Sequence, residues 1–216
     1  MAGPNPQEIF FLDRLFAGGN MASWVDSLDT TLFQLINQSG QNYFSDWFMP
    51  FMTDLKNFTY ILAVLGVYLL WRERKAGLVL LVFLGLTLAI TDPFSSRFLK
   101  EWVGRIRPCQ VLQGVRLLTD CNTSYSFPSS HAVNIFAAAY FLSQPFRRLA
   151  PLFFCIAAIV GYSRIYIGVH YPLDVMGGAA IGLLIAWPIR RLKDKVMKRL
   201  HISPLSSTKS QAPSKE

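Results

Sequence analysis

The chain has 216 residues, of which 52% are hydrophobic and 16% are charged, and its formal net charge at pH 7 is +8. This composition is too apolar for an average soluble domain of that length, so it indicates one compact membrane domain. The Lys and Arg residues lie in clumps between apolar runs and form no basic face interleaved with aromatic residues. Membrane topology therefore explains the charge better than nucleic-acid binding, and no nucleic-acid partner is predicted.

The first 56 residues are predicted to form an N-terminal interfacial segment. Residues 1–6 contain no basic segment and no apolar core with a small-residue cleavage site, so no removable signal peptide is expected. The segments Trp24–Gln38 and Tyr43–Leu55 mix aromatic residues, Leu and Met with Asp, Asn and Gln. This mixture favours amphipathic helices that lie in the membrane interface, where they would form the lipid entrance.

Residues 57–192 carry the apolar segments of a membrane domain. The predicted helices are Phe58–Trp71, Ala76–Ile90, Ala132–Leu142, Leu149–Ile167 and Leu173–Ile189. Some are shorter than the roughly 20 residues that a span usually needs, and a soluble helical core is the alternative. Their number and closeness argue against it. The predicted fold class is all-α, an integral-membrane bundle of about five to six spanning helices.

The clustered cations predict how the bundle is oriented. They lie at 72–75, at Arg147 and Arg148, and from Arg190 to Arg199, which fall on one side if the helices alternate. The positive-inside rule makes that side cytoplasmic. Residues 193–216 are therefore expected to be a basic, disordered cytoplasmic tail, since 202–216 is rich in Ser, Lys and Pro. The loop Glu101–Phe127 and the turn Val169–Pro172 then share the extracytoplasmic face.

Three cysteines occur in two different settings. Cys155 lies in an apolar run, whereas Cys109 and Cys121 bracket one polar loop. In an oxidising compartment these two residues could form a disulfide. Two free thiols are the alternative, because spacing in the sequence does not give the distance between the Cα atoms.

The first polar cluster is Lys100, six residues, then Arg107 and Pro108. Seven positions are about two helical turns, so both cations are expected on one face of a helix that Pro108 ends. Two fixed cations suit a phosphate clamp. The alternative is a pair of interfacial anchors at the end of an apolar helix.

The second cluster, Pro128-Ser129-Ser130-His131, lies between a polar loop and an apolar helix. Ser129 or Ser130 is expected to be the N-cap. Free N–H groups, the positive end of the helix dipole and two hydroxyls would bind an anion, and His131 could donate a proton to a departing oxygen. The alternative is an ordinary capped helix with an interfacial histidine.

The third cluster is Ser163-Arg164, five residues, His170, three residues, Asp174. A charge such as Arg164 near the end of an apolar helix is costly and indicates a functional site. Pro172 is expected to start the next helix, with Asp174 in its first turn. The carboxylate could then orient one imidazole nitrogen of His170 and leave the other as a nucleophile. Asp174 as a plain N-terminal helix charge is the alternative.

In this order, the motifs Lys-x6-Arg-Pro, Pro-Ser-x-His and Ser-Arg-x5-His-x3-Asp resemble those of the type 2 phosphatidic acid phosphatase (PAP2) superfamily. The resemblance spans Lys100–Asp174 and implies the family's helical core, which it shares with vanadium haloperoxidases. It implies phosphatase chemistry through a phosphohistidine intermediate. No cluster of Asp, Glu and His residues has metal-ligand spacing, so metal-independent turnover without a cofactor is expected. The implied catalytic residues are His170 as nucleophile, Asp174 as its orienting group and His131 as acid. The implied phosphate ligands are Lys100, Arg107, Ser129, Ser130 and Arg164.

Two departures from the family pattern stand out. Ser130 occupies a position where the family usually has Gly, which alters a backbone contact to phosphate or adds a hydroxyl to it. Many six-helix members also begin with a clear spanning helix, and none is evident before Trp24.

The expected substrate is a membrane lipid phosphate, with no obligatory protein partner and a place in the plasma (inner) membrane. Undecaprenyl diphosphate fits the outward-facing site and the small, loop-poor architecture. Phosphatidic acid, phosphatidylglycerol phosphate and lipid A remain alternatives, with hydrolysis or phosphate transfer as the reaction. Halide oxidation with bound vanadate and a nonenzymatic membrane binder are the competing classes.

Overall fold

The computed structural model describes residues 21–205 of the chain. All of the regular secondary structure within these residues is helical. The expectations for residues 1–20, including the absence of a signal peptide, lie outside the described residues. The principal helices are α1 (Met21–Ser39), α2 (Tyr43–Thr53), α3 (Thr59–Pro93), α4 (Lys100–Val103), α5 (Pro108–Val111), α6 (Ser130–Ser143), α7 (Ala150–Tyr166) and α8 (Pro172–Arg199). A π-helical stretch, Phe94–Leu99, joins α3 to α4. The predicted all-α membrane fold is confirmed.

Helix α3 reverses direction at Arg74. The backbone there has φ 45° and ψ −114°, far from helical values. A Cβ atom on Gly77 would lie only 2.5 Å from the carbonyl oxygen of Leu69, which requires the two arms of the helix to run side by side. The two apolar segments predicted between Phe58 and Ile90 therefore form a helical hairpin.

Three stretches of the described residues are long and apolar enough to cross a membrane: Leu55–Val111, Arg147–Tyr166 and Pro172–Arg199. The first contains the hairpin, so it supplies two of the five predicted helices. Helix α6, with 14 residues, is about 21 Å long and falls short of a bilayer's roughly 30 Å core. Many outward side chains of these helices are large and apolar, including Ile61, Val64 and Leu184. This exposure suits contact with lipid.

Helices α6 and α8 pack closely because glycines line one face of α8. A Cβ atom on Gly182 would lie 2.2 Å from the carbonyl oxygen of Val133, and one on Gly178 would lie 2.8 Å from that of Ser129. Small residues let helix backbones approach in this way. At the same end the Ser129 N–H donates to the backbone oxygen of Asp174 at 3.0 Å, so the starts of α6 and α8 meet.

Asn37 fastens α1 to the rest of the protein. Its side chain is fully buried and donates to the carbonyl oxygens of Arg116 and Tyr166, both at 2.8 Å. It also accepts the Arg116 N–H at 2.9 Å. One side chain therefore joins α1, the long polar loop and the end of α7.

Replacing Asn37 by Ala is expected to destabilise the protein by about 1–3 kcal/mol, because buried backbone groups would lose their partners. Thermal unfolding in detergent measures this effect. Gln38→Ala is the matched control, since Gln38 is exposed and makes one long bond, 3.4 Å, to Gly114. Equal melting temperatures for Asn37→Ala and wild type would contradict the anchoring role.

The prediction that residues 193–216 are disordered is wrong for residues 193–205. Helix α8 continues to Arg199, with Lys193 and Met197 buried. Beyond it Leu205 is only 2% exposed and joins the apolar cluster of Leu80 and Phe141. These contacts order the chain as far as 205, and the remainder of the predicted tail lies outside the described residues.

Candidate active site

Lys100 and Arg107 converge on one serine although they do not share a helix. The predicted single helix is wrong: α4 ends at Val103, and Gly104 adopts a left-handed conformation with φ 64°. Arg107 is extended, as a residue before proline prefers, and Pro108 starts α5 instead of ending a helix. The Lys100 ammonium lies 3.4 Å from the Ser124 hydroxyl, and Nη2 of Arg107 lies 3.0 Å from it.

Cys109 and Cys121 form a disulfide, which settles the alternative left open by the sequence. The bond closes the polar loop, and the Gln110 side chain supports it by donating to the Asn122 carbonyl at 2.8 Å. Ser124 lies three residues after Cys121, and its carbonyl oxygen accepts a hydrogen bond from Nε of Arg107 at 2.7 Å. The disulfide therefore helps to hold the loop against Arg107.

His170 lies between Arg107 and Asp174 and is 1% exposed. Its Nδ1 is 3.5 Å from Oδ2 of Asp174, while its Nε2 is 3.2 Å from Nη1 of Arg107. A guanidinium group can only donate, so Nε2 must be the acceptor in this contact. The ring proton then belongs on Nδ1, facing the carboxylate. This tautomer leaves a lone pair at Nε2.

Burial lowers the pKa of His170 to about 3. The positive charges of Arg107 and Arg164 act in the same direction, against the hydrogen bond and charge of Asp174. The imidazole is consequently neutral near pH 7, as a nitrogen nucleophile must be.

Asp174 is fully buried in the first turn of α8, as the sequence predicted. It accepts hydrogen bonds from the backbone N–H of Tyr171 at 2.8 Å and from the Ser126 hydroxyl. These contacts fix the carboxylate on the side of His170 away from Arg107.

The start of α6 contributes two hydroxyl groups and a histidine. Ser129 occupies the N-cap position, as predicted, and its hydroxyl makes no capping bond. The Ser129 and Ser130 hydroxyl oxygens are buried and hydrogen-bond to no group in the described residues. His131 is exposed and lies within electrostatic range of Lys100, Arg107 and Arg164. The serines thus offer unused donors beside an accessible imidazole.

Arg164 reaches the site from the last turn of α7. Its Nη1 donates to the Thr53 hydroxyl at 2.9 Å, which ties it to the end of α2. Its Nε is buried and has no hydrogen-bond partner within residues 21–205. An arginine held from one side with a free donor on the other suits a multivalent oxyanion.

Lys100, Arg107 and Arg164 are close enough for their charges to repel one another. Within the described part of the chain, no salt bridge joins them to an acidic side chain, and Asp174 attracts Lys100 and Arg107 without pairing with them directly. A phosphate would relieve this repulsion and bind the orphaned donors of Ser129, Ser130 and Arg164. The structure joins Lys100 and Arg107 through Ser124, and Arg107, His170 and Asp174 by direct contacts, and the chemistry of this group fits phosphate.

Arg105 is the main polar residue of the site that sequence reasoning missed. Its Nη1 lies 2.8 Å from Oδ1 of Asp174, and its Nη2 lies 2.6 Å from Oδ2 of the buried Asp29 in α1. The guanidinium also lies 4.2 Å from the Tyr171 ring. Its place within the first motif, two residues before Arg107, was the available signal. Nothing in the sequence pairs it with an aspartate 76 positions away.

The PAP2 superfamily model matches residues 76–198 of the chain. Phosphatidylglycerophosphatase B of Bacillus subtilis is 33% identical over 59% of this chain and 63% of that protein. Lipid A 4'-phosphatase of Bacteroides thetaiotaomicron is 31% identical over 83% of each chain.

Undecaprenyl-diphosphatase of Sulfolobus acidocaldarius is 31% identical over 72% of this chain and 74% of that protein. Among solved structures, a transmembrane PAP2-type phosphatidylglycerolphosphate phosphatase from Bacillus subtilis superposes with a TM-score of 0.62. It is 27% identical over 88% of this chain and 95% of that chain.

Proposed function

Because the chain belongs to the PAP2 superfamily and is a membrane lipid phosphatase, we propose that it hydrolyses undecaprenyl diphosphate through a phosphohistidine at His170. The observation that carries the chemistry is the neutral imidazole held between Asp174 and Arg107, with its Nε2 lone pair directed at the cation cluster. The relative named undecaprenyl-diphosphatase supports the choice of lipid.

In the first step Nε2 of His170 attacks the terminal phosphorus, and the bond from phosphorus to the bridging oxygen breaks. Lys100, Arg107 and Arg164 neutralise the charge that develops on the equatorial oxygens. Desolvation and the charges of Arg164, Lys100 and Arg107 lower the pKa of His131 to about 3 in the protein alone, and the negative charge of the bound diphosphate raises it again. His131 then gives a proton to the departing oxygen, so undecaprenyl phosphate leaves.

In the second step water attacks the phosphohistidine. Neutral His131 accepts the proton of that water, which regenerates the acid for the next cycle. Inorganic phosphate departs, and His170 returns to the neutral tautomer that Asp174 stabilises.

We further propose that the site faces away from the cytoplasm in the plasma membrane. The clustered cations at 72–75, at Arg147 and Arg148, and along the end of α8 lie at the opposite end of the helices from His170. By the positive-inside rule that end is cytoplasmic.

A lipid A phosphate is the second candidate substrate. The relative named lipid A 4'-phosphatase matches 83% of both chains, a wider match than that to the undecaprenyl-diphosphatase.

Phosphate release by purified protein tests the proposal. A panel of undecaprenyl diphosphate, lipid A, phosphatidylglycerol phosphate and phosphatidic acid is assayed in detergent with excess EDTA. We expect turnover to persist, because protein cations supply the charge stabilisation for which other phosphatases use metals. Preference for lipid A would select the second candidate. Loss of activity in EDTA with recovery on added Mg²⁺ would refute the metal-independent chemistry, and no release from any lipid would refute the function.

A further inference from the structure

A cation-rich cavity lies at the end of the bundle opposite His170. Helix α8 has 28 residues and is therefore about 42 Å long, with Asp174 in its first turn and this cavity beside its last turns. The cavity has a volume of about 580 Å³. Its polar lining includes Arg147, Arg190, Lys193, Asp194, Lys198 and His201. Because Asp194 is the one acidic side chain in that lining, four fixed cations leave a clear positive excess.

Two of these cations are more buried than an ordinary membrane-flanking charge. Lys193 is 5% exposed, and its ammonium lies 2.8 Å from Asp194. Arg190 donates through Nη1 to the Tyr140 hydroxyl at 3.0 Å. Its buried Nε forms no hydrogen bond within the described residues and lies 3.7 Å from Oδ2 of the same Asp194. Charges that only set topology require no such burial, because exposed Lys and Arg side chains serve that purpose. One half-exposed carboxylate, Asp194, therefore serves both cations, and the charge that it leaves uncompensated favours an additional negative partner.

The outer wall of the cavity is a fixed part of the fold. His201 turns the chain with φ 51°, and the Ile202 N–H donates to the Met197 carbonyl at 3.0 Å. Leu205 is 2% exposed and anchors the end of this segment in the core. The cations therefore surround a preformed concave site.

The cavity lies at the level expected for lipid headgroups. The half-exposed Trp187 lies about one turn before the first α8 residue that lines the cavity, and the guanidinium of Arg191 lies 5.0 Å from the centre of its ring. Tryptophan beside arginine is typical of the membrane–water interface. A basic pocket between helices at this depth is of the kind that binds anionic lipid headgroups.

We propose that this cavity binds a phosphate group, supplied by the headgroup of an anionic phospholipid in the leaflet opposite the active site. The site is independent of the hydrolytic chemistry, because it shares no side chain with the cluster around His170. The bound phosphate would accept from Arg147, Arg190 and Lys198 and compensate the charge excess next to Lys193.

The test titrates short-chain phosphatidylglycerol into the full-length protein in a neutral detergent and follows the melting temperature. Phosphatidylcholine of the same chain length and inorganic phosphate are titrated in parallel. We expect phosphatidylglycerol to raise the melting temperature saturably, as a ligand of the folded state does, and phosphatidylcholine to have little effect. A similar rise with inorganic phosphate would identify the free anion as a second source of the same group.

Matched variants locate the binding. Arg147→Gln and Arg190→Gln should each weaken the apparent affinity about fivefold, since each removes one cation at the membrane surface. Arg148→Gln is the control, because Arg148 is exposed on the same face and does not line the cavity. Phosphatidylglycerol that binds near His170 would bind there equally in all variants, so it does not affect the comparison between them. Arg147 is itself exposed, so its replacement tests the site even if a variant at Arg190 fails to fold. Equal weakening by Arg148→Gln, or none at Arg147 and Arg190, would overturn the proposal.

Discussion

Replacing His170 by Ala is expected to reduce turnover by about 10⁴-fold or more and to abolish the phosphoenzyme, because it removes the nitrogen that is proposed to attack phosphorus. His170 is the residue whose Nε2 faces the cation cluster while Nδ1 faces Asp174. The measurement is the rate of phosphate release from the preferred lipid, together with circular dichroism to verify folding.

His131→Ala provides the contrasting variant. With an activated leaving group such as p-nitrophenolate, departure needs little protonation, so His131→Ala should still form the phosphoenzyme. His170→Ala should fail with any leaving group. If both variants lost phosphoenzyme formation equally on p-nitrophenyl phosphate, the separate roles of the two histidines would be wrong.

Replacing Arg105 by Gln is expected to lower kcat by about 10²–10³-fold with little change in KM. Arg105 bridges the buried carboxylates of Asp174 and Asp29, at 2.8 and 2.6 Å. Removing one partner of a buried ion pair costs about 3–5 kcal/mol, here by leaving two carboxylates without their cation. Asp174 would then lose the geometry that orients His170, whereas the phosphate ligands would remain. Steady-state kinetics in detergent separate kcat from KM.

Arg116 offers a close control for that experiment. Its guanidinium pairs with Asp46 of α2 at 2.6 Å and lies 4.9 Å from the Tyr166 ring, much as Arg105 pairs with α1 and lies over Tyr171. Arg116→Gln therefore removes an equivalent anchor of the N-terminal helices without touching Asp174. It should lower stability and leave kcat near wild type. Similar kcat losses in both variants would assign Arg105 a purely structural role, and Arg105→Lys should recover part of the activity because it restores the charge.

The motif residues could be predicted because their chemistry is local. Ser-Arg-x5-His-x3-Asp places the histidine just before a proline-initiated helix, so the sequence alone puts Asp174 one turn from His170. The apolar runs likewise predicted the helices, since a hydrophobic run of that length has few other stable forms.

The missed features depend on contacts between distant parts of the chain. The short-range rule that proline ends a helix misplaced Pro108, because Gly104 had already ended α4 and the proline was free to start the next helix. Arg105 meets Asp29 only because α1 packs against the start of α8, through Phe33 on Tyr171 and Asp29 on the Leu173 N–H. The order of residues 193–205 likewise comes from the burial of Lys193 and Leu205. No local pattern reports such packing.

The most direct measurement is to trap the phosphoenzyme with the preferred lipid, quench it at alkaline pH where phosphohistidine survives, and map the modified peptide by mass spectrometry. We predict one phosphate on His170, lost in His170→Ala and lost on longer incubation as water completes the cycle. Phosphate on another residue, or none during demonstrable turnover in rapid-quench samples, would contradict the covalent mechanism and the role assigned to His170.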